Sequence, residues 1–236
     1  MGPPRFRRAL SVIQRRQPDL TVLVERLTNA HNIGAILRTS DAVGIAKVHT
    51  VMSSDLFSAK ALRSTAKGSD RWTSIEHHTT TEGAYEKIRN EGLQIVAADV
   101  TPHAQDFREV DYTKPTCIVM GRESTGISEY ASQHADFSVT IPQFGMVESL
   151  NVSVATGLIL YEAQRQRSLK GMYEKSRLTP ELHHRLVMQF VHPEVYQYCM
   201  THSIALPNID EEGTINDPVF EEARQSLSQN IANLTR

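Results

Sequence analysis

Ile141-Pro142-Gln143-Phe144-Gly145-Met146-Val147-Glu148-Ser149-Leu150-Asn151-Val152-Ser153 is the stretch on which the fold turns. It joins an expected strand, Phe137 to Ile141, to an expected helix running from Asn151 to about Arg167. Inside that helix Val152, Ala155, Ile159 and Ala163 recur at the helical period, with Val154 and Leu158 alongside. The junction holds a Pro and a Gly that break regular structure and apolar residues of exposed type, Phe144 and Met146. Ser149 and Asn151 follow at a helix start, where unpaired backbone N–H groups gather. Apolar walls with free amides and two neutral polar side chains suit a flat heterocycle with polar edges. Taken alone, the stretch reads first as an ordinary strand-to-helix loop with a capping Ser or Asn.

Working outward, further strands are expected at Thr21 to Leu27, Lys47 to Met52, Trp72 to Ile75, Leu93 to Ala98 and Thr116 to Met120. The last is a continuous apolar run of the kind buried on both faces. Helices are expected after Asn32 (Ile33, Ile36, Leu37 and Val43 on one side, Gly44 at its end), over Ala59 to Lys67, over Glu82 to Asn90 and weakly over Ser128 to His134. Pro102 to Lys114 reads as loop. Strands alternating with helices predict an α/β domain with a mainly parallel sheet. Beyond Arg167 only helices are expected: Glu181 to Val191, Glu194 to His202 and Pro218 to Leu234. The expected organisation is a basic helical arm (1–20), an α/β core (21–167) and a helical C-terminal extension (168–236).

The 236 residues are 40% apolar, enough for a real core, and the net charge of −2 gives no overall pull toward nucleic acid. The distribution is uneven. Arg5, Arg7, Arg8, Arg15 and Arg16 precede the first acid, Asp19, and a second basic face carries Lys60, Arg63, Lys67 and Arg71. Such a pattern is either a phosphate-gripping arm or a solvated helix face. The two cysteines, Cys117 and Cys199, have neither zinc nor redox spacing. With no secretory pattern and no run of membrane-spanning length, the expectation is a cytoplasmic protein without membrane contact.

In a parallel α/β sheet a ligand sits beyond the carboxyl ends of the strands. Three loops there carry unusual residues. Asn32-Ile33-Gly34-Ala35-Ile36-Leu37-Arg38-Thr39 offers an Asn at the turn and an Arg within the following helix, although an Arg so placed is also an ordinary surface residue. Gly121-Arg122-Glu123-Ser124-Thr125-Gly126-Ile127-Ser128 brackets a carboxylate between glycines, as a site or as a plain turn. The third is the opening stretch. There is no G-x-G dinucleotide fingerprint, no phosphate-binding G-x-x-x-x-G-K-[ST], no H-E-x-x-H and no G-x-S-x-G. Glu76-His77-His78 and His183-His184 lack helix-face metal spacing, and no metal is expected.

Taken together, Asn32-x-Gly34-Ala35-x-x-Arg38-Thr39, Met120-Gly121-x-Glu123-x-x-Gly126-Ile127-Ser128, and Ile141-Pro142 through Ser149-Leu150-Asn151-Val152-Ser153 resemble the three motifs of the SPOUT RNA methyltransferases, in order and spacing. Arg15 to Thr21 and Tyr161 to Arg167 look like the TrmH (SpoU) branch, which methylates the ribose 2′-hydroxyl of guanosine 18 in the tRNA D-loop. The resemblance covers about residues 20–167. It implies a sheet whose C-terminal part threads a deep trefoil knot, S-adenosyl-L-methionine held by the knot loops, a homodimer, and tRNA as partner. It further implies that Arg38 is catalytic, with Asn32, Glu123, Ser149 and Asn151 in support. Cofactor contacts fall to Gly121, Glu123, Ile141, Met146, Leu150 and Asn151, and the arginines and lysines above grip RNA. Methylation of another RNA, such as ribosomal RNA, and a non-catalytic RNA-binding module of the same fold are the alternatives.

Overall fold

The structure, a computed structural model, describes residues 3–51, 72–147, 149–218 and 220–221. It divides into two compact units, Arg15–Arg177 and Met1–Gln14 together with Leu178–Arg236. These bounds differ from the expected 20 and 167: residues 15–20 and 168–177 belong to the α/β unit. The cause is ionic. Arg167, wholly buried, donates from Nη1 to Asp19 Oδ1 at 2.7 Å and from Nε to the Tyr112 carbonyl at 2.8 Å. Arg177 closes on the other side of Asp19 at 2.6 and 2.8 Å.

Among the described residues the larger unit has seven strands: β1 (Leu20–Glu25), β2 (Lys47–Val51), β3 (Ser74–His78), β4 (Gln94–Ala98), β5 (Gln105–Asp106), β6 (Thr116–Met120) and β7 (Phe137–Thr140). They form one sheet in the order β3-β2-β1-β6-β4-β7-β5, and every pairing is parallel. Its described helices are α2 (Ala30–Ala42), α3 (Thr81–Asn90), α4 (Glu129–Gln133) and α5 (Val152–Leu169); α1 (Pro3–Ile13), α6 (Pro180–Val191) and α7 (Pro193–His202) belong to the other unit.

Period-two alternation divides the core between the two faces of the sheet. Val22, Val24, Ile118, Met120 and Val139 face α2 and α5, where Ile33, Ile36, Leu37, Ile159 and Ala163 meet them. Leu23, Ile95, Ala97, Cys117 and Val119 face α3 and α4 and pack on Ala84, Tyr85, Ile88 and Ala131. β6 is buried at every position, as its apolar run requires. Each Val, Leu, Ile or Met among these side chains contributes roughly 1.5–3 kcal/mol on removal from water, before the entropy cost of ordering it.

The strand expected at Trp72 to Ile75 lies slightly later, at Ser74–His78. The expected loop over 102–114 contains β5 and a short 3-10 turn, Phe107–Glu109. The helix expected over Ala59 to Lys67 and most of that over Pro218 to Leu234 lie outside the described residues. β7 is slotted between β4 and β5, pairing Ala98 with Val139 on one side and Gln105 with Val139 on the other. The connection 99–104 therefore arches across the carboxyl end of β7.

In the smaller unit, α1 turns Phe6, Ala9 and Ile13 inward and leaves Arg5, Arg7 and Arg8 exposed. α6 buries Leu186, Val187, Met188, Phe190 and Val191. The Thr179 side chain caps the start of α6, and Pro180 sits in its first turn. That is the favoured place for a residue without an N–H.

Candidate functional site

Four loops leave the carboxyl ends of the adjacent strands β1, β6, β4 and β7. The last three surround a cavity of about 890 Å³, at the upper end of the range for small-molecule sites. Its apolar wall is built by residues including Ala98, Met120, Val139, Ile141, Leu150, Val152 and Ile159, and its polar groups come from Asp99, Arg122, Glu123, Thr125, Thr140, Gln143 and Ser149.

The loop after β6 is held in a tight form. Arg122 and Gly126 exchange backbone hydrogen bonds, both at 2.9 Å. Gly126 has φ +67°, and a Cβ on Gly121 would run into the backbone of Gly126 and Ile127. Both glycines are thus dictated by geometry, one by its left-handed backbone and one by close approach. The loop is anchored from beneath by Glu25, the last residue of β1. Its buried carboxylate accepts the Ser128 backbone N–H at 2.7 Å, the Ser128 hydroxyl at 2.6 Å and the Thr81 hydroxyl at 2.5 Å. The sequence reading missed Glu25; its one signal is a carboxylate ending a strand otherwise made of Leu, Thr and Val.

Asn32, in the first turn of α2, joins the loops. Its amide donates to the Glu123 carboxylate, and its Oδ1 accepts from Asn151 Nδ2 at 3.2 Å. Asn151 in turn caps α5, accepting from the backbone and hydroxyl of Ser153 at 2.9 and 2.6 Å. Three residues drawn from three separate motifs thus form one hydrogen-bonded chain, with Glu123 on the cavity wall.

Of the expected site residues, Gly121, Glu123, Ile141, Ser149 and Leu150 line the cavity. Asn32 and Asn151 stand behind it. Arg38 lies on the exposed face of α2 and has no hydrogen bond or ion pair among the described residues. Met146 is a correction: it is 100% exposed and does not line the cavity, to which its neighbours Gly145 and Val147 contribute instead. Asp99, Val100, Thr140 and Gln143 were missed, since nothing in the sequence sets β4 beside β7.

Arg16 is a second correction. Expected on an RNA-facing arm, it is completely buried and bound to the Asp41 carboxylate at 2.6 Å and the carbonyls of Ile45 and Trp72 at 2.8 and 2.9 Å. Burial pushes its pKa down while Asp41 opposes the shift. Arg5, Arg7, Arg8 and Arg15 are exposed, Arg15 in the larger unit and the others in the smaller. Lys60, Arg63, Lys67 and Arg71 lie outside the described residues.

Among the described residues, His49, Glu76 and His78 are the group spaced closely enough to share a cation. Lys47 already meets Glu76 at 2.9 Å, and the two imidazoles share a hydrogen bond of 2.9 Å. Burial, followed by Lys47, pushes His49 down to about 4. These contacts account for the spacing.

Fold and cavity define a parallel α/β protein with a ligand site at the carboxyl ends of its central strands. The sequence matches the SpoU rRNA Methylase family over residues 19–161, and the C-terminal module described as SpoU, rRNA methylase, C-terminal, over 165–218. The chain belongs to the SpoU methylase family. It is 43% identical over 217 residues to the tRNA (guanosine(18)-2′-O)-methyltransferase of Escherichia coli K12, covering 91% of this chain and 94% of the relative. Its fold matches the crystal structure of the Aquifex aeolicus TrmH/SpoU tRNA modifying enzyme with a TM-score of 0.76 and 41% identity, covering 81% and 97% of the two chains. It also matches the AdoMet-bound rRNA methyltransferase from Sinorhizobium meliloti, with a TM-score of 0.58 and 32% identity over 66% and 59%.

Proposed function

We propose that this protein transfers a methyl group from S-adenosyl-L-methionine to the ribose 2′-hydroxyl of guanosine 18 in the tRNA D-loop. The observation that carries the reading is the Glu123–Asn32–Asn151 chain, which ties the three motif loops together at one cavity. The cavity fits an adenosyl group. Ile141, Leu150 and Ile159 offer an apolar wall for a purine, and Gly121 lets the main chain approach where a Cβ would collide. Loop residues Gly121, Ile141 and Leu150 supply backbone amides and carbonyls.

The cofactor supplies an activated methyl on a sulfonium that leaves as a neutral thioether. This chain's residues have three tasks. The cavity loops fix the donor, Asn32 and Ser149 orient the ribose and its phosphate, and Arg38 sits against the phosphate and the 2′-oxygen, whose proton passes to the substrate phosphate or to water as the O–C bond forms. A guanidinium stays protonated in a protein, so Arg38 acts electrostatically, stabilising the developing alkoxide. Holding the two reacting groups in line supplies up to about 7–11 kcal/mol.

The knot is part of the same proposal: the segment after β7 passes beneath the 99–104 arch. So is a homodimer. Val154, Leu158 and Tyr161 lie on one side of α5 and are 50, 43 and 56% exposed, an apolar stripe that a second copy would cover. Among the described residues no helix is long and apolar enough to cross a membrane, and tRNA as substrate sets the work in the cytoplasm. Arg5, Arg7, Arg8 and Arg15 are the exposed cations proposed to meet tRNA phosphates, with Lys60, Arg63, Lys67 and Arg71 carried from the sequence.

The test is methyl transfer to total RNA and to a single tRNA transcript, followed by mapping of the modified nucleotide. A 2′-O-methylguanosine in the D-loop supports the reading. Methylation confined to ribosomal RNA replaces it, and no transfer to any RNA refutes it.

A further inference from the structure

Asp99 is a carboxylate in the cavity for which the motif residues provide no role. It is the first residue beyond β4. Its backbone N–H donates to the Val139 carbonyl at 3.0 Å, extending the ladder to β7, and Ser132 Oγ of α4 donates to its Oδ2 at 2.8 Å. Main chain and side chain are therefore both fixed before any ligand arrives. The second oxygen, Oδ1, has no hydrogen bond among the described residues. It faces Gly126, where a side chain would begin 4.0 Å away. Among the described residues the other acid on the cavity wall is Glu123, whose Oε1 is taken by Asn32 and tied through it to Asn151. Asp99 stands outside that chain and offers Oδ1 as an anionic acceptor to the cavity.

We propose that Asp99 receives the ribose diol of the adenosyl ligand. This rests on the cofactor reading above and adds the residue that recognises its sugar. A vicinal diol presents two O–H donors to a carboxylate, and an acid beyond the end of a parallel strand is a general solution for ribose hydroxyls. With Oδ2 pinned by Ser132, Oδ1 is aimed without further loss of side-chain freedom, which is what preorganised binding requires. The competing occupant, the ammonium of the methionyl arm, is chemically separable because the nucleoside alone lacks it.

Calorimetry on the full chain decides the matter with three ligands: S-adenosylhomocysteine, 5′-methylthioadenosine and 2′,3′-dideoxy-5′-methylthioadenosine. Asp99→Ala is expected to weaken the first two by about tenfold to a hundredfold, the scale of a hydrogen bond to a charged group. The dideoxy ligand should bind wild type and variant alike. Asp99→Asn, which retains an acceptor without the charge, should fall between, and circular dichroism confirms that each variant folds. Equal binding of 5′-methylthioadenosine by wild type and Asp99→Ala overturns the proposal, as does a loss confined to S-adenosylhomocysteine, which would give the acid to the ammonium. Absence of any binding to wild type would instead overturn the cofactor reading beneath it.

Discussion

Ser128 donates both its backbone N–H and its hydroxyl to the Glu25 carboxylate, at 2.7 and 2.6 Å, across 103 positions of sequence. The end of β1 thereby fixes the loop that follows β6. Glu25→Gln should loosen that loop, because an amide cannot accept from all three donors and brings two hydrogens of its own. The expected cost is about 1–3 kcal/mol, read as a lower urea midpoint. Weaker S-adenosylhomocysteine binding by calorimetry should accompany it. An unchanged midpoint would show that the buried acid is not structural.

Arg38→Lys should lower methyl transfer to tRNA by about a hundredfold or more, since the ammonium lacks the planar fork and the loss of one aimed charge is worth that much. S-adenosylhomocysteine affinity should not move, because Arg38 does not line the cavity. Single-turnover rates with saturating tRNA are the measurement; a rate near that of the parent would remove Arg38 from the chemistry.

Asn32→Ala should separate the two other members of its chain, leaving Glu123 and Asn151 without their shared partner. Turnover should fall at least tenfold for a loss of about 1.4 kcal/mol. Asn32→Asp should be worse than Asn32→Ala, because it sets a second carboxylate against Glu123. The order of the two variants in a methylation assay is the check.

Acid should release the anchor of α5. Burial alone would raise the pKa of Asp19, but hydrogen bonds from Arg177 and Arg167 outweigh it and hold the group below its ordinary 3.8. A carboxylate depressed on folding contributes stability that is complete above its unfolded pKa and is lost as pH falls through the folded value. The Asp19 contribution should therefore be intact above about pH 5 and fade below 3.8. Asp19→Asn should remove this part of the acid dependence, seen by comparing denaturant midpoints from pH 7 to 3. It should also destabilise at neutral pH, because it leaves the fully buried Arg167 charge uncompensated, which costs about 3–5 kcal/mol.

What could be read from the sequence follows from where the signal lies. β6 announces itself as five apolar residues, and α5 by the spacing of Val152, Ile159 and Ala163. β5 is two residues long, Gln105 and Asp106, too short to carry a period. The order of the strands is set by crossovers between distant segments, which no local pattern encodes. For the same reason Asp99 escaped notice, since its importance arises only when β7 arrives beside β4. Arg16 misled because a run of arginines looks alike whether it meets water or Asp41. The motif residues were legible by resemblance; that Asn32 is the member bridging Glu123 and Asn151 was not.

The slot filled by β7 also constrains the order of assembly. A chain emerging from the ribosome has made β4, β5 and β6 before residue 137 exists, yet β4 and β5 cannot neighbour each other in the finished sheet. They must wait, apart, for a later segment, so the sheet cannot zip up in the order of synthesis. Such distant pairings make for slow acquisition of the native state. The cavity, whose walls include the ends of both β4 and β7, is complete only when this late insertion is done.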